Sequence, residues 1–140
     1  MTANKNYAGF WARSKATLID GFILLPMIIF FYPWGYDMEK QPIEYAVTMG
    51  FDSLITSLLF FAYTVIMYAE YNGQTVGKRV AGIKVVMEDG SKLTYGKTIL
   101  REIGAYTSAG IFLLGYFWVI WDAKKQGWHD KIAQTLVVKV

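Results

Sequence analysis

Three stretches without a single Lys, Arg, Asp or Glu constrain this chain more than any other feature: residues 21–36, 53–69 and 103–121. A helix needs about 20 mostly apolar residues to cross the hydrocarbon core of a bilayer. The first run reaches that length if residues 16–20 join it, and the second if residues 45–52 do, each at the cost of one acid. The third, 19 residues long, suffices alone. A single run of this kind also fits the buried helix of a soluble domain, but three in 140 residues point to a membrane. A secretory signal would need a short apolar region followed by small residues. The first run instead ends in the bulky sequence FFYPWGY. Trp and Tyr, which favour the headgroup level, bracket the runs: Tyr7 and Trp11 before the first, Tyr32, Trp34 and Tyr36 after it, Tyr45, Tyr68 and Tyr71 around the second, and Trp118, Trp121 and Trp128 at the end of the third.

Composition supports this reading and removes others. Hydrophobic residues make up 54% and charged residues 18%, the latter below the roughly 25% of a soluble domain. With no Cys and one His, a disulfide framework, a thiolate metal site and a His-based zinc site are excluded, and neither metal nor cofactor is expected. The net charge of +3 raises the question of nucleic acid, and its distribution answers it. Of the 14 Lys and Arg, all but Lys40 fall in the N-terminal segment, in residues 70–101 or in the tail. Lys and Arg mark cytoplasmic loops, so these segments are expected inside and the acidic loop of residues 37–44 outside. The basic excess thus orients the chain, and no nucleic-acid partner is implied.

The expected fold is an all-α polytopic membrane protein with a small cytoplasmic β element, forming one domain. Span 1 covers about 13–36 and span 2 about 45–69. A cytoplasmic segment, 70–97, contains a β-hairpin over 83–95 built on the turn Glu88-Asp89-Gly90-Ser91, since Asp-Gly between apolar runs is a strong hairpin signal. The third apolar segment covers about 98–121, and a tail, 122–140, ends in a β-rich stretch that pairs with the hairpin. Three crossings would put the four Lys of the tail outside. The third segment is therefore expected to re-enter on the same side, bending at Gly104, Gly110 or Gly115, with a single third crossing as the alternative.

Ionisable groups inside a spanning helix are costly, by roughly 2.5–3.5 kcal/mol on insertion scales, and are functional candidates by default. Arg13 and Asp20 lie seven residues apart on one helix face. Arg13 can snorkel to the headgroups. Asp20, about 10 Å deeper at 1.5 Å per residue, must be protonated, bridged by water or paired with a cation. The pair is read either as a proton or cation site or as a salt bridge that fixes helix packing. Asp52, followed by Ser53, Thr56 and Ser57, is either a second acid of a relay or a charge at the positive end of its helix. Arg101, with Glu102 beside it, is expected to snorkel to phosphate at the start of the third run.

Two segments outside the runs call for a reading. Gly73-Gln74-Thr75-Val76-Gly77-Lys78 looks like a phosphate loop, but that motif needs four residues between its glycines and Ser or Thr after Lys. It is read as a turn linking span 2 to the sheet, with a lipid-phosphate contact as the alternative. Lys124 to Lys131 reads as an interfacial helix. Its His129, next to Asp130, offers pH sensing as the sharper option, but no nucleophile accompanies it, and no enzyme is expected.

Taken together, YAGFWARSKATLIDGFILL, GQTVGKRVAGIKVV, LREIGAY and KKQGWHDKIAQTLVV resemble the RDD family of small bacterial membrane proteins, named for one Arg and two Asp. The resemblance covers about residues 7–138. It implies that Arg13, Asp20 and Asp130 are the name residues, and it matches Gly73, Gln74, Thr75, Gly77 and Lys78. Asp52 is not part of the pattern. It implies a multi-pass protein of the bacterial inner membrane, and a role in transport, with sodium/proton exchange linked to some members. The expected function is cation or proton transport through the Arg13/Asp20 pair, in a homo-oligomer because so few spans enclose little volume. The alternative is an accessory protein that binds a partner membrane protein.

Overall fold

A computed structural model describes residues 6–30, 39, 41–110 and 114–140. Helix α1 runs Phe10–Phe30 and α2 runs Pro42–Glu70. Pro42 opens α2, where its missing N–H costs no bond. The helix closes in a Schellman turn: Asn72 adopts φ +55°, and the Gly73 N–H donates to Tyr68 O at 3.0 Å. Among the described residues, α2 alone is long and apolar enough to cross a membrane by length and composition. The more charged α1 carries Arg13, Lys15 and Asp20 in its first half. Tyr32, Trp34 and Tyr36, expected to close span 1, lie outside the described residues, as do Asp37, Met38 and Lys40 of the acidic loop.

After α2 come a five-residue helix α3 (Val76–Val80) and strand β1 (Ile83–Met87). Helix α4 (Tyr95–Gly110), the short α5 (Leu114–Phe117), a 3-10 turn (Trp118–Ile120), α6 (Trp128–Ala133) and β2 (Thr135–Lys139) complete the chain. β1 and β2 pair antiparallel, with Ile83 opposite Lys139 and Met87 opposite Thr135. The tail strand does join β1, as expected, but the hairpin over 83–95 does not form. Asp89 and Gly90 do turn the chain, with the Ser91 N–H donating to Asp89 Oδ1 at 2.9 Å and Gly90 at φ +79°. Thr94 then ends the extended stretch. Its carbonyl accepts from Thr98 N and its hydroxyl from Lys97 N, so Tyr95 begins a helix. The other edge of β2 is taken by the segment before α1, where the Ala8 N–H donates to Val137 O and Lys139 N–H to Asn6 O, both at 2.8 Å.

One hydrophobic core joins the sheet to the bases of α1 and α2. Ile83, Val85, Met87 and Val137 face Ala8, Ala16, Tyr68 and Leu93. Further along the helices, large apolar side chains are exposed: Phe22 and Phe30 on α1, Val47, Phe51 and Leu58 on α2. The third apolar segment folds back on itself. A Cβ on Gly115 would press on Ser108 of α4 at 2.5 Å, and Phe117 stacks on Phe10 with centroids 5.4 Å apart. This return leg brings residues 114–120 beside the base of α1, where α6 and its polar side chains also arrive.

Candidate functional site

The polar side chains that the apolar runs isolate meet in three linked arrangements. The first is a knot around Asp130, which is fully buried. Arg13 Nη1 donates to Asp130 Oδ2 at 2.5 Å, and Arg101 Nη1 donates to Oδ1. Asp130 Oδ2 also accepts from Gly127 N at 3.0 Å, which fastens the start of α6. Each of the other two Arg13 nitrogens is engaged as well: Nε donates to Ala8 O at 3.0 Å and Nη2 to Lys125 O at 2.5 Å. Arg101 further reaches Thr135 Oγ1 at 3.1 Å. One carboxylate thus ties α1, α4 and α6 together. Burial opposes its charge, but Arg101 and then Arg13 outweigh burial and hold it well below the usual carboxylate range.

The second arrangement is a cradle around Asp20, which is 3% exposed. Its Oδ1 accepts from Gly77 N at 2.7 Å and Tyr63 OH at 2.9 Å, and its Oδ2 from Thr75 Oγ1 at 2.6 Å. Neutral donors hold it, and Arg13 bonds to Asp130 rather than to Asp20. The cradle also accounts for the Gly73–Lys78 stretch, which is no phosphate loop. Gly73, at φ +77°, lies too close to the Val85 carbonyl for any Cβ. Gln74 Nε2 donates to Ile83 O at 3.1 Å. Thr75 caps α3 while it donates to Asp20. A Cβ on Gly77 would sit 2.8 Å from the Asp20 carboxylate.

The third arrangement is a cavity of about 530 Å³ between α1, α2, α4 and α5. Its walls include Phe10, Leu18, Phe60 and Phe117, and Lys78 and Glu102 are among its polar groups. Lys78 is 8% exposed and Glu102 is 7% exposed. Lys78 Nζ donates to Tyr68 OH at 2.6 Å and lies 4.9 Å from the centre of the Tyr68 ring. Neither Lys78 nor Glu102 has an oppositely charged partner within 4.0 Å among the described residues. Burial and then Arg101 push the Lys78 ammonium down to about 8, against the pull of Asp20 and Glu102. Two further buried nitrogens, Arg101 Nε and His129 Nδ1, find no partner among the described residues.

Several expectations change. Arg101 does not snorkel to phosphate: it is 5% exposed and locked to Asp130. His129 is not on an interfacial face: it is 3% exposed and packs against Gly104 and the Tyr116 ring. Burial, more than the opposing pull of Asp130, drives its pKa down to about 3, so it is neutral at physiological pH and no sensor there. Asp52 is half-buried on α2 and sits 16 residues from Tyr68, about 24 Å along the axis at 1.5 Å per residue. It takes no part in these arrangements. Glu102 is the residue that sequence reasoning passed over. Its signal was present: it is a second charge at the mouth of an apolar run, on a different face from its neighbour Arg101.

Comparison with known proteins agrees with this layout. The model of the RDD family matches residues 7–134, a span that includes the cradle and, apart from Thr135 and Val137, the knot and the cavity walls. Three similar proteins come from Bacillus subtilis (strain 168). The uncharacterized membrane protein YteJ is 35% identical over 94% of this chain and 80% of its own length. The uncharacterized protein YxaI is 32% identical, with 94% and 96% covered. The uncharacterized protein YckC is 30% identical, with 93% and 83% covered. No solved structure matches.

Proposed function

Starting from the fact that this chain belongs to the RDD family, we propose that it is a multi-pass protein of the bacterial cell membrane that moves a proton or monovalent cation through the cavity. Glu102 is the exchanging carboxylate in this reading. One observation carries it: Glu102 is a buried acid that lines the cavity without an ion pair among the described residues. A carboxylate that exchanges a proton or cation must be unclaimed in one of its states. Asp20 and Asp130 each accept from three fixed donors, whereas Glu102 has the Thr64 hydroxyl beside it. Lys78, across the same cavity, supplies a competing positive charge when Glu102 has released its cation.

The topology that goes with this reading has α1 and α2 crossing the bilayer. The segment 98–121 enters and returns on the cytoplasmic side, together with the N-terminus, the sheet and the tail. The exposed apolar faces of α1 and α2 then meet lipid or a second copy of the chain, since two spans and a hairpin enclose little volume. The decisive experiment is proton flux in proteoliposomes under an imposed sodium or potassium gradient. Glu102→Gln is expected to abolish flux, whereas Asp52→Asn retains it. Equal flux in Glu102→Gln and the parent chain overturns the assignment.

A further inference from the structure

The cavity holds one buried cation and one buried anion that do not satisfy each other. Lys78 and Glu102 both line it, both are more than nine-tenths buried, and they stand farther apart than an ion pair. Lys78 Nζ has three donors and gives one to Tyr68. Arg101 Nε adds an unspent donor at the same end. Arg13, Lys78 and Arg101 line the cavity with the acids Asp20 and Glu102, and both guanidinium groups are already paired with Asp130 behind the wall. A molecule that carries both charges, rather than the exchanged cation alone, satisfies Lys78 and Glu102 together. The remaining walls are aromatic and aliphatic, and Leu18 and Phe117 are exposed where they line the cavity, so its mouth is apolar. A volume near 530 Å³ falls within the range of roughly 300–1,000 Å³ that suits small molecules.

We propose that this cavity binds an amphipathic zwitterion, with a primary ammonium on Glu102, a carboxylate or phosphate on Lys78, and an apolar body against Phe10, Leu18, Phe60 and Phe117. The inference rests on the reading of this cavity as the working site and names its ligand class. Each buried charge then gains the counter-charge it lacks, which the enclosed setting makes strong. The same head chemistry has two sources: an apolar amino acid from the aqueous side, or an aminophospholipid from the bilayer.

The test is calorimetric titration of the purified chain in detergent with L-leucine and with dihexanoyl phosphatidylethanolamine. Binding of either is expected and tells the two sources apart. Phosphatidylcholine, which has no ammonium N–H, and phosphatidylglycerol, which has no ammonium, are expected to bind about 30-fold more weakly or not at all. Glu102→Gln and Lys78→Met are each expected to weaken the favoured probe by about 30-fold, the usual effect of stripping one partner from a buried charge contact. Cooperative unfolding of each variant establishes that it is folded, and the headgroup comparison needs no variant. The inference is overturned if the folded parent chain binds neither probe, or if phosphatidylglycerol binds as tightly as phosphatidylethanolamine. A chain that binds a zwitterion but passes no protons keeps this inference and removes the flux reading, while proton flux with neither probe bound does the reverse.

Discussion

Arg101 and Glu102 are adjacent in sequence and stand in opposite kinds of place. Arg101 faces the Asp130 knot, where a carboxylate shared by two guanidinium groups and a backbone N–H has little room for change. Glu102 faces a cavity where, among the described residues, no cation is within ion-pair distance. One helix step of about 100° separates a joint from an opening. Burial alone therefore does not mark a functional charge in this chain. What distinguishes them is whether the fold already supplies the buried group's counter-charge.

This contrast can be broken most forcefully at the knot. Asp130→Ala leaves two guanidinium groups facing each other without their acid. It should cost roughly 3–5 kcal/mol, read as a lower thermal midpoint in detergent or as failure to accumulate. The cradle comes next. Asp20→Ala strands the donors of Thr75, Gly77 and Tyr63 and should cost about 1–3 kcal/mol, again by thermal unfolding. Glu102→Gln should be the mildest of the three acids in stability, with a change below about 1 kcal/mol or a small gain, because it removes a buried charge that has no ion pair. A loss at Glu102 as large as that at Asp130 would erase the distinction.

Titration sharpens the same comparison. Lys78 sits near 8 in the folded chain and at the ordinary 10.5 when unfolded. Between these values the unfolded chain binds more protons, so stability should rise as pH increases from about 8 to 10.5. The slope should flatten in Lys78→Met when midpoints are compared across that window. His129 behaves alike at lower pH. Its folded value near 3 lies below the ordinary 6.5, so stability should fall as pH drops below 6.5. Down to about pH 5, where Asp130 is still ionised in the unfolded chain, this loss belongs to His129 and should be smaller in His129→Gln.

Much of the fold was legible in the amino-acid order because apolar periodicity and turn chemistry are local. The expected spans, about 13–36 and 45–69, contain most of α1 and α2, and the β-rich tail does pair with Ile83–Met87. The failed hairpin shows the limit of local signals. Asp89-Gly90 was a true turn, but Thr94 four residues later carried a helix-capping signal that competed with the strand and won. The site was less legible because its bonds are long-range. Asp20 meets Thr75 and Gly77 across 55 and 57 positions, and Arg13 meets Asp130 across 117. Membrane reasoning sent the buried Arg101 and His129 to the interface, since nothing in their neighbourhood announces the partner that makes burial tolerable. Lys78 was hidden by its resemblance to a phosphate loop, whose glycines turn out to serve close packing against Ala16, Asp20 and Val85.

The span of 117 positions between Arg13 and Asp130 has a consequence for biogenesis. Helices α1 and α2 leave the ribosome long before α6 exists. Until Asp130 emerges, Arg13 and Arg101 carry positive charge with no acid between them, and β1 waits for β2 as its partner. Assembly of the base is therefore a late event, completed from the tail backwards. A nascent chain halted before residue 130 would carry two guanidinium groups without the acid that they share.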